Sequence, residues 1–245
     1  MIVEKTPRRR TSKPFYTGMA IILAATVFLG FAPTFYLRGY VPLPLGVGPL
    51  YPLLVAHGLV NTLWFALFLA QTLLIAASRT DLHRRLGVLG AVVAIAVVVL
   101  GTMTTVAAVR AGSVTPEPDP RVFFLGATLP SVVLFGLLVA AAIGFRRRPQ
   151  THKHLMLLAT IILMGAGLDR VFPFVFNLAE PVSAFLARSQ LATDIFVLAA
   201  VVHDVRSRGR VHPALIWGGA ALVLRPLLLL VTGTPAGLAL ADRFR

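Results

Sequence analysis

The sequence predicts an all-α fold, a polytopic membrane helical bundle of seven transmembrane helices with a cytoplasmic N-terminus and an external C-terminus. Three observations predict it. Hydrophobic residues fill 57% of the 245 positions and charged residues 13%, where soluble domains hold about 45–50% and about 25%; the mean hydropathy is +0.84. Seven runs approach the ~20 apolar residues that cross ~30 Å of hydrocarbon. The turns between these runs alternate between strongly basic and nearly uncharged.

The elements follow in order. Residues 1–14, MIVEKTPRRRTSKP, form a basic N-terminal segment. The first span, Phe15–Leu37, carries no charge. It is too long for the apolar region of a signal peptide and has no small-residue cleavage site, so a retained helix is expected. The second span, Tyr51–Ser78, follows the Pro/Gly-rich loop GYVPLPLGVGPLYP. The third, Leu86–Val109, is rich in valine. Its length and lack of alternation favour helix in lipid, where backbone groups must bond internally. Val122–Phe145, His154–Phe174, Val182–His203 and Pro213–Val231 complete the set. The membrane domain therefore covers 15–233, and 234–245 is a short external tail.

Charge orients the bundle. Lys5, Arg8, Arg9, Arg10 and Lys13 precede the first span. Arg79, Arg84 and Arg85, then Arg146, Arg147, Arg148 and Lys153, then Arg206, Arg208 and Arg210 fill every second turn. The opposite turns hold only Arg38, the mixed set Arg110, Glu117, Asp119 and Arg121, and Glu180. By the positive-inside rule the basic turns are cytoplasmic, which predicts a multi-pass protein of the bacterial cytoplasmic (inner) membrane. The net charge of +14 thus reads as topology and lipid contact, not as nucleic-acid binding. No cysteine is present, which excludes disulfides, thiolate zinc sites and iron–sulfur clusters.

Ionisable groups at membrane depth are costly and mark candidate sites. Two layers emerge. In the outer half, His57, Asn61, Trp64, Phe68 and Gln71 follow a 4-3-4-3 spacing that puts all five on one helix face. Asp169 and Arg170, Arg188, Asp194 and Arg225 join them, with Asp194 and Arg225 near the midplane as an expected ion pair. Three arginines against two aspartates leave room for an anion: a carboxylate, a phosphate head group or a haem propionate. The plainer alternative is polar packing, with Arg170 and Arg188 reaching the interface. At the cytoplasmic level lie His83, His152, His154, His203 and His212. Two imidazoles on facing helices suit a b-type haem, and the same histidines also suit an ordinary membrane boundary among arginines. Neither HExxH nor HxxxH occurs. Asp204 reads as a weak surface partner of a nearby arginine.

The ordered set HGLVNTLWFALFLAQ, LHRRLG, RRRPQTHKHLMLLA, LDR and HDVRSRGRVHPALIWGG, over about residues 50–225, resembles an uncharacterised group of bacterial multi-span membrane proteins. More distantly, the spaced histidines are similar to four-histidine transmembrane b-type cytochromes and helpers of haem–copper oxidase assembly. That resemblance implies His57, His83, His154 and His203 as ligands, although three lie on one side and one on the other. A retinal protein is disfavoured, because the deep basic residue of the last span is Arg225 rather than a lysine.

Three functions follow as expectations. One is a redox or haem-handling protein using the histidine layer. Another is a binder or carrier of an anionic lipid or small acid in the outer layer. The third is a non-catalytic subunit or assembly partner of a membrane complex. An enzymatic role has no support in the sequence. Gly30, Gly87, Gly90, Gly101, Gly165 and Gly167 are expected to allow close helix packing.

Overall fold

The computed structural model describes residues 13–42, 49–111, 124–176 and 182–232, with 234, 236 and 239. Within these stretches only the backbone is described at 111, 124, 172–176, 182–189 and 229. Helix α1 (Lys13–Phe31) continues into a π-helical turn (Ala32–Tyr36) and is followed by α2 (Pro52–Ala76) and α3 (Thr80–Ala111). A second π-helical turn (Phe124–Thr128) leads into α4 (Leu129–Gly144). Then come α5 (Pro149–Phe176), α6 (Val182–Arg208), α7 (Pro213–Leu224) and α8 (Leu227–Thr232). Among the described residues the chain is all-helical, with no strand.

Five helices are long and apolar enough to cross a membrane, namely Lys13–Tyr36, Pro52–Ala76, Thr80–Arg110, Leu125–Gly144 and Pro149–Val171. The sequence predicts seven. Of the remaining two, α6 is one unbroken helix, but its described side chains include Asp194, Asp204, Arg206 and Arg208. The expected seventh helix is interrupted: α7 stops at Leu224 and α8 starts at Leu227. Pro226 has no amide hydrogen and its ring crowds the preceding turn, which ends the helix there. Helices α3 and α5 also start earlier than their apolar runs. Asp81 in the first turn of α3 favours the positive helix end, and Pro149 suits the first turn of α5.

Helix α5 is the centre. Leu157, Leu158, Ala159, Ile161, Ile162 and Met164 are all buried. Residues so close in sequence point in every direction around a helix, so α5 has neighbours on all sides. It packs against α1, α4, α6 and α7, and α2 and α3 close the ring between α1 and α4. The closest approach is between α1 and α5. A β-carbon on Gly30 would overlap the Gly167 carbonyl, and one on Gly167 would lie 2.9 Å from Val27 Cα. Gly101 likewise abuts Val132, whereas Gly90 has nothing within 4 Å. Two tight contacts escape the sequence reading: Gly58 against Phe35 and Gly218 against Leu158.

The basic turns gather at one end. Lys13 Nζ donates to Ser78 Oγ at 3.1 Å. Arg208 donates to Gln150 Oε1 at 3.2 Å. The His83 and His152 rings meet at 6.2 Å. The N-terminus of α1 therefore lies beside the α2–α3, α4–α5 and α6–α7 turns. Gly209, at φ 72°, ends α6 in the left-handed conformation that lets its amide bond Val205 O at 2.8 Å.

Gly30→Leu is expected to lower the thermal stability of the detergent-solubilised protein by about 1–3 kcal/mol or more. Gly90→Ala, an open position, is expected to leave it unchanged. Equal melting of both variants would show that the α1–α5 crossing does not limit stability.

Candidate functional site

At the basic end three helices converge on one buried carboxylate. His154 sits one turn into α5, and Asp204 sits one turn before the end of α6; both are 0% exposed. His154 Nε2 lies 3.1 Å from Asp204 Oδ1. His154 Nδ1 lies 2.6 Å from the Gln150 carbonyl. Asp204 Oδ2 accepts the His212 amide at 2.8 Å. Arg208, one turn on, adds a longer contact to Oδ1 at 3.5 Å. A carboxylate taken out of water needs such donors, because a buried charge without partners is unaffordable.

Aromatic rings enclose the pair. The His212 ring lies over His154 with centroids 5.0 Å apart and planes 21° apart. Tyr16 of α1 presents an edge to His154 at 6.1 Å and to His203 at 5.9 Å. Phe15 stacks on His203 at 3.9 Å, nearly parallel. Lys153 Nζ lies 4.6 Å from the centre of the Tyr16 ring. His212 also caps α7, its Nδ1 accepting the Ala214 amide at 3.1 Å. That acceptor role puts the proton of a neutral His212 ring on Nε2. Burial, then the Arg208 guanidinium, holds His212 below the ordinary histidine range.

The histidines expected as haem ligands are thus partly brought together. His154 and His212 meet, and His203 is adjoined through Tyr16. His83 lies elsewhere, against His152, with its Nδ1 buried and without a hydrogen-bond partner among the described residues. His154 and His212 do not fit an axial pair. Both His154 nitrogens are engaged, and His154 and His212 meet by their faces, which points their nitrogens away from a shared iron. Among the described residues no group of three or more His, Cys, Asp or Glu is placed to hold a metal.

The outer residues form separate contacts. On α2, Trp64 is 2% exposed, edge-on to Phe135 at 4.8 Å, with its Nε1 unpartnered among the described residues. Asn61 Nδ2 donates back to the His57 carbonyl at 2.8 Å and lies 3.3 Å from His57 Nε2. Gln71, at the other end of the stripe, donates to the His83 carbonyl at 3.2 Å and ties α2 to α3. Arg170 folds back onto the Ala166 carbonyl of its own helix at 2.7 Å and over the Phe31 ring of α1 at 4.2 Å. Arg188 lies on α6, and its side chain falls outside the described residues.

The expected Asp194–Arg225 pair is replaced by a relay. Arg225 Nη2 donates to Gln190 Oε1 at 2.5 Å, and Gln190 Nε2 donates to Asp194 Oδ1 at 2.6 Å. Gln190, Tyr16 and the burial of Asp204 are what sequence reasoning missed. Asp204 left one signal: it is the only acid in the basic turn HDVRSRGRVH of a chain with nine acids.

The class defined by these observations is an all-helical membrane protein with a buried histidine–aspartate centre. Its particular identity receives no help from likeness: the chain matches no family model, no curated protein and no solved structure.

Protonating His212 destroys the acceptor that caps α7. Its folded pKa is depressed, so the unfolded chain binds more protons below about pH 6.5. Its stabilisation is therefore complete above that pH and is lost as pH falls toward the folded value. His212→Asn keeps a capping oxygen without titrating. Melting temperature is expected to fall less for His212→Asn than for the unmodified chain between pH 7 and pH 5. Identical pH profiles would remove His212 from the account.

Proposed function

We propose that the chain is a seven-span protein of the bacterial cytoplasmic membrane. Its basic end, with the N-terminus, faces the cytoplasm. Its working part is a proton-binding site on the His154–Asp204 pair. One observation carries the site: both ring nitrogens of His154 face acceptors, while Asp204 collects donors from α5, α6 and α7. A singly protonated ring has one N–H and would turn a lone pair toward an oxygen. The pair is therefore arranged to take up one proton more than a neutral imidazole beside a carboxylate. Histidine–carboxylate pairs at membrane depth serve as proton acceptors and donors, and they need no metal for that chemistry.

Seven spans follow from counting α6 and the α7–α8 pair as crossings. Residues 213–232 together are long enough, at about 1.5 Å per residue, to cross a hydrocarbon core of about 30 Å. The alternation of basic and weakly charged turns supports that parity. The cysteine-free chain makes it easy to test. With single cysteines in intact cells, an impermeant maleimide is expected to label Tyr40→Cys and not Ser78→Cys. The reverse pattern would overturn the orientation.

Nitrogen-15 NMR of histidine-labelled protein tests the proton. His154 is expected to take up its second ring proton at a higher pH in the unmodified protein than in Asp204→Asn. The preparation is expected to show no haem absorption. Uptake of the second proton at the same pH with and without the Asp204 carboxylate, or a haem spectrum abolished by changing His154, would overturn the reading.

A further inference from the structure

A groove of about 800 Å³ runs into the membrane-spanning face between α4 and α7, with the first turns of α5 as its floor. Its volume lies within the ~300–1,000 Å³ of ligand sites. The groove exists because its walls are small. Ala141 on α4 and Ala214, Gly218 and Ala221 on α7 carry nothing beyond a β-carbon, and at Gly218 the α7 backbone presses on Leu158. The two helices therefore stand apart while both rest on α5.

The groove is graded in polarity. Its deep part is alkyl and aromatic. Its mouth lies at the basic end, where Arg148, Gln150 and His212 line it. Arg148 is held over the Phe145 ring at 5.6 Å, which keeps the guanidinium at the opening. Gln150 is braced by Arg208. The first turns of α5 and α7 both end here and present the positive ends of two helix dipoles. No acidic side chain lines the groove among the described residues. Trp217, 75% exposed, stands on its wall.

We propose that this groove holds one anionic phospholipid, its phosphate at Arg148 and the first turn of α5, and one acyl chain lying along Ala141 and Ala221. An apolar slot whose mouth carries Arg148, two helix N-termini and no acid among the described residues matches an amphiphile whose head is negative and whose tail points to the bilayer centre. This places anionic lipid binding at the basic end, whereas the sequence points to the outer layer. The inference rests on the orientation proposed above, and not on the proton at His154.

The test is native mass spectrometry of protein released from nanodiscs of equal phosphatidylglycerol and phosphatidylcholine. One retained phosphatidylglycerol per chain is expected. Arg148→Gln is expected to lower that occupancy about fivefold, the effect of one interfacial cation. Arg85→Gln, an exposed arginine on the same end, is expected to leave it unchanged. Ala141→Trp, which fills the slot, is expected to abolish retention while the melting temperature holds. Equal retention of both lipids by the unmodified chain would overturn the proposal. So would equal loss in Arg148→Gln and Arg85→Gln. A lipid-free dimer broken by Ala141→Trp would assign the groove to a second copy instead. The NMR reading of His154 is independent, so either result stands if the other fails.

Discussion

The contact between His154 Nε2 and Asp204 Oδ1 joins the central helix to α6 and, through the His212 amide on Oδ2, to the start of α7. Breaking a buried ion pair by removing one partner typically costs about 3–5 kcal/mol. Much else follows from keeping this one satisfied. Arg208 must lie one turn beyond Asp204. Gly209 must turn the chain so that the His212 amide returns to the carboxylate. Tyr16 must bring α1 against the imidazoles. In a bilayer the apolar faces of helices have little reason to prefer one another over lipid tails. A polar contact with several obligatory partners therefore does more to select one arrangement of α5, α6 and α7 than it would in a soluble core.

Much of the fold was legible because lipid imposes a length and a composition that survive in a single sequence. The first five helices appear where their apolar runs are, with the starts of α3 and α5 moved back to Thr80 and Pro149. The last two were less legible. The run from Pro213 to Val231 looks continuous to hydropathy, but Pro226 interrupts the backbone ladder regardless of how apolar its neighbours are. The seven-span count and the orientation remain proposals, supported by charge alternation.

The site was legible by type and not by pairing. The histidine layer was visible as depth along helices, because depth is a one-dimensional quantity. Which histidine faces which depends on helix rotation, which the sequence does not fix. Thus His154 meets His212 by its face and Asp204 by its edge, and His83 turns to His152. Asp204 was misjudged because a residue next to three arginines looks solvated, when in fact Gly209 folds the turn over it. Asp194 and Arg225 were expected to pair directly, but Gln190 on the Asp194 helix reaches Arg225 first.

The crossing at Gly30 and Gly167 bears on how the molecule is assembled. These residues are well over a hundred positions apart, yet their backbones touch. As the chain is synthesised, α1, α2, α3 and α4 enter the membrane before α5 exists. The face of α1 that carries Gly30 must stay open to lipid until then. The central helix is thus a late arrival, slotted into a partial ring that already holds α1 and α4. The basic turn ahead of α5 arrives just before it. Helices α6 and α7 follow α5 in the chain and pack against it. The contact between His154 and Asp204 cannot form until α6 has followed α5.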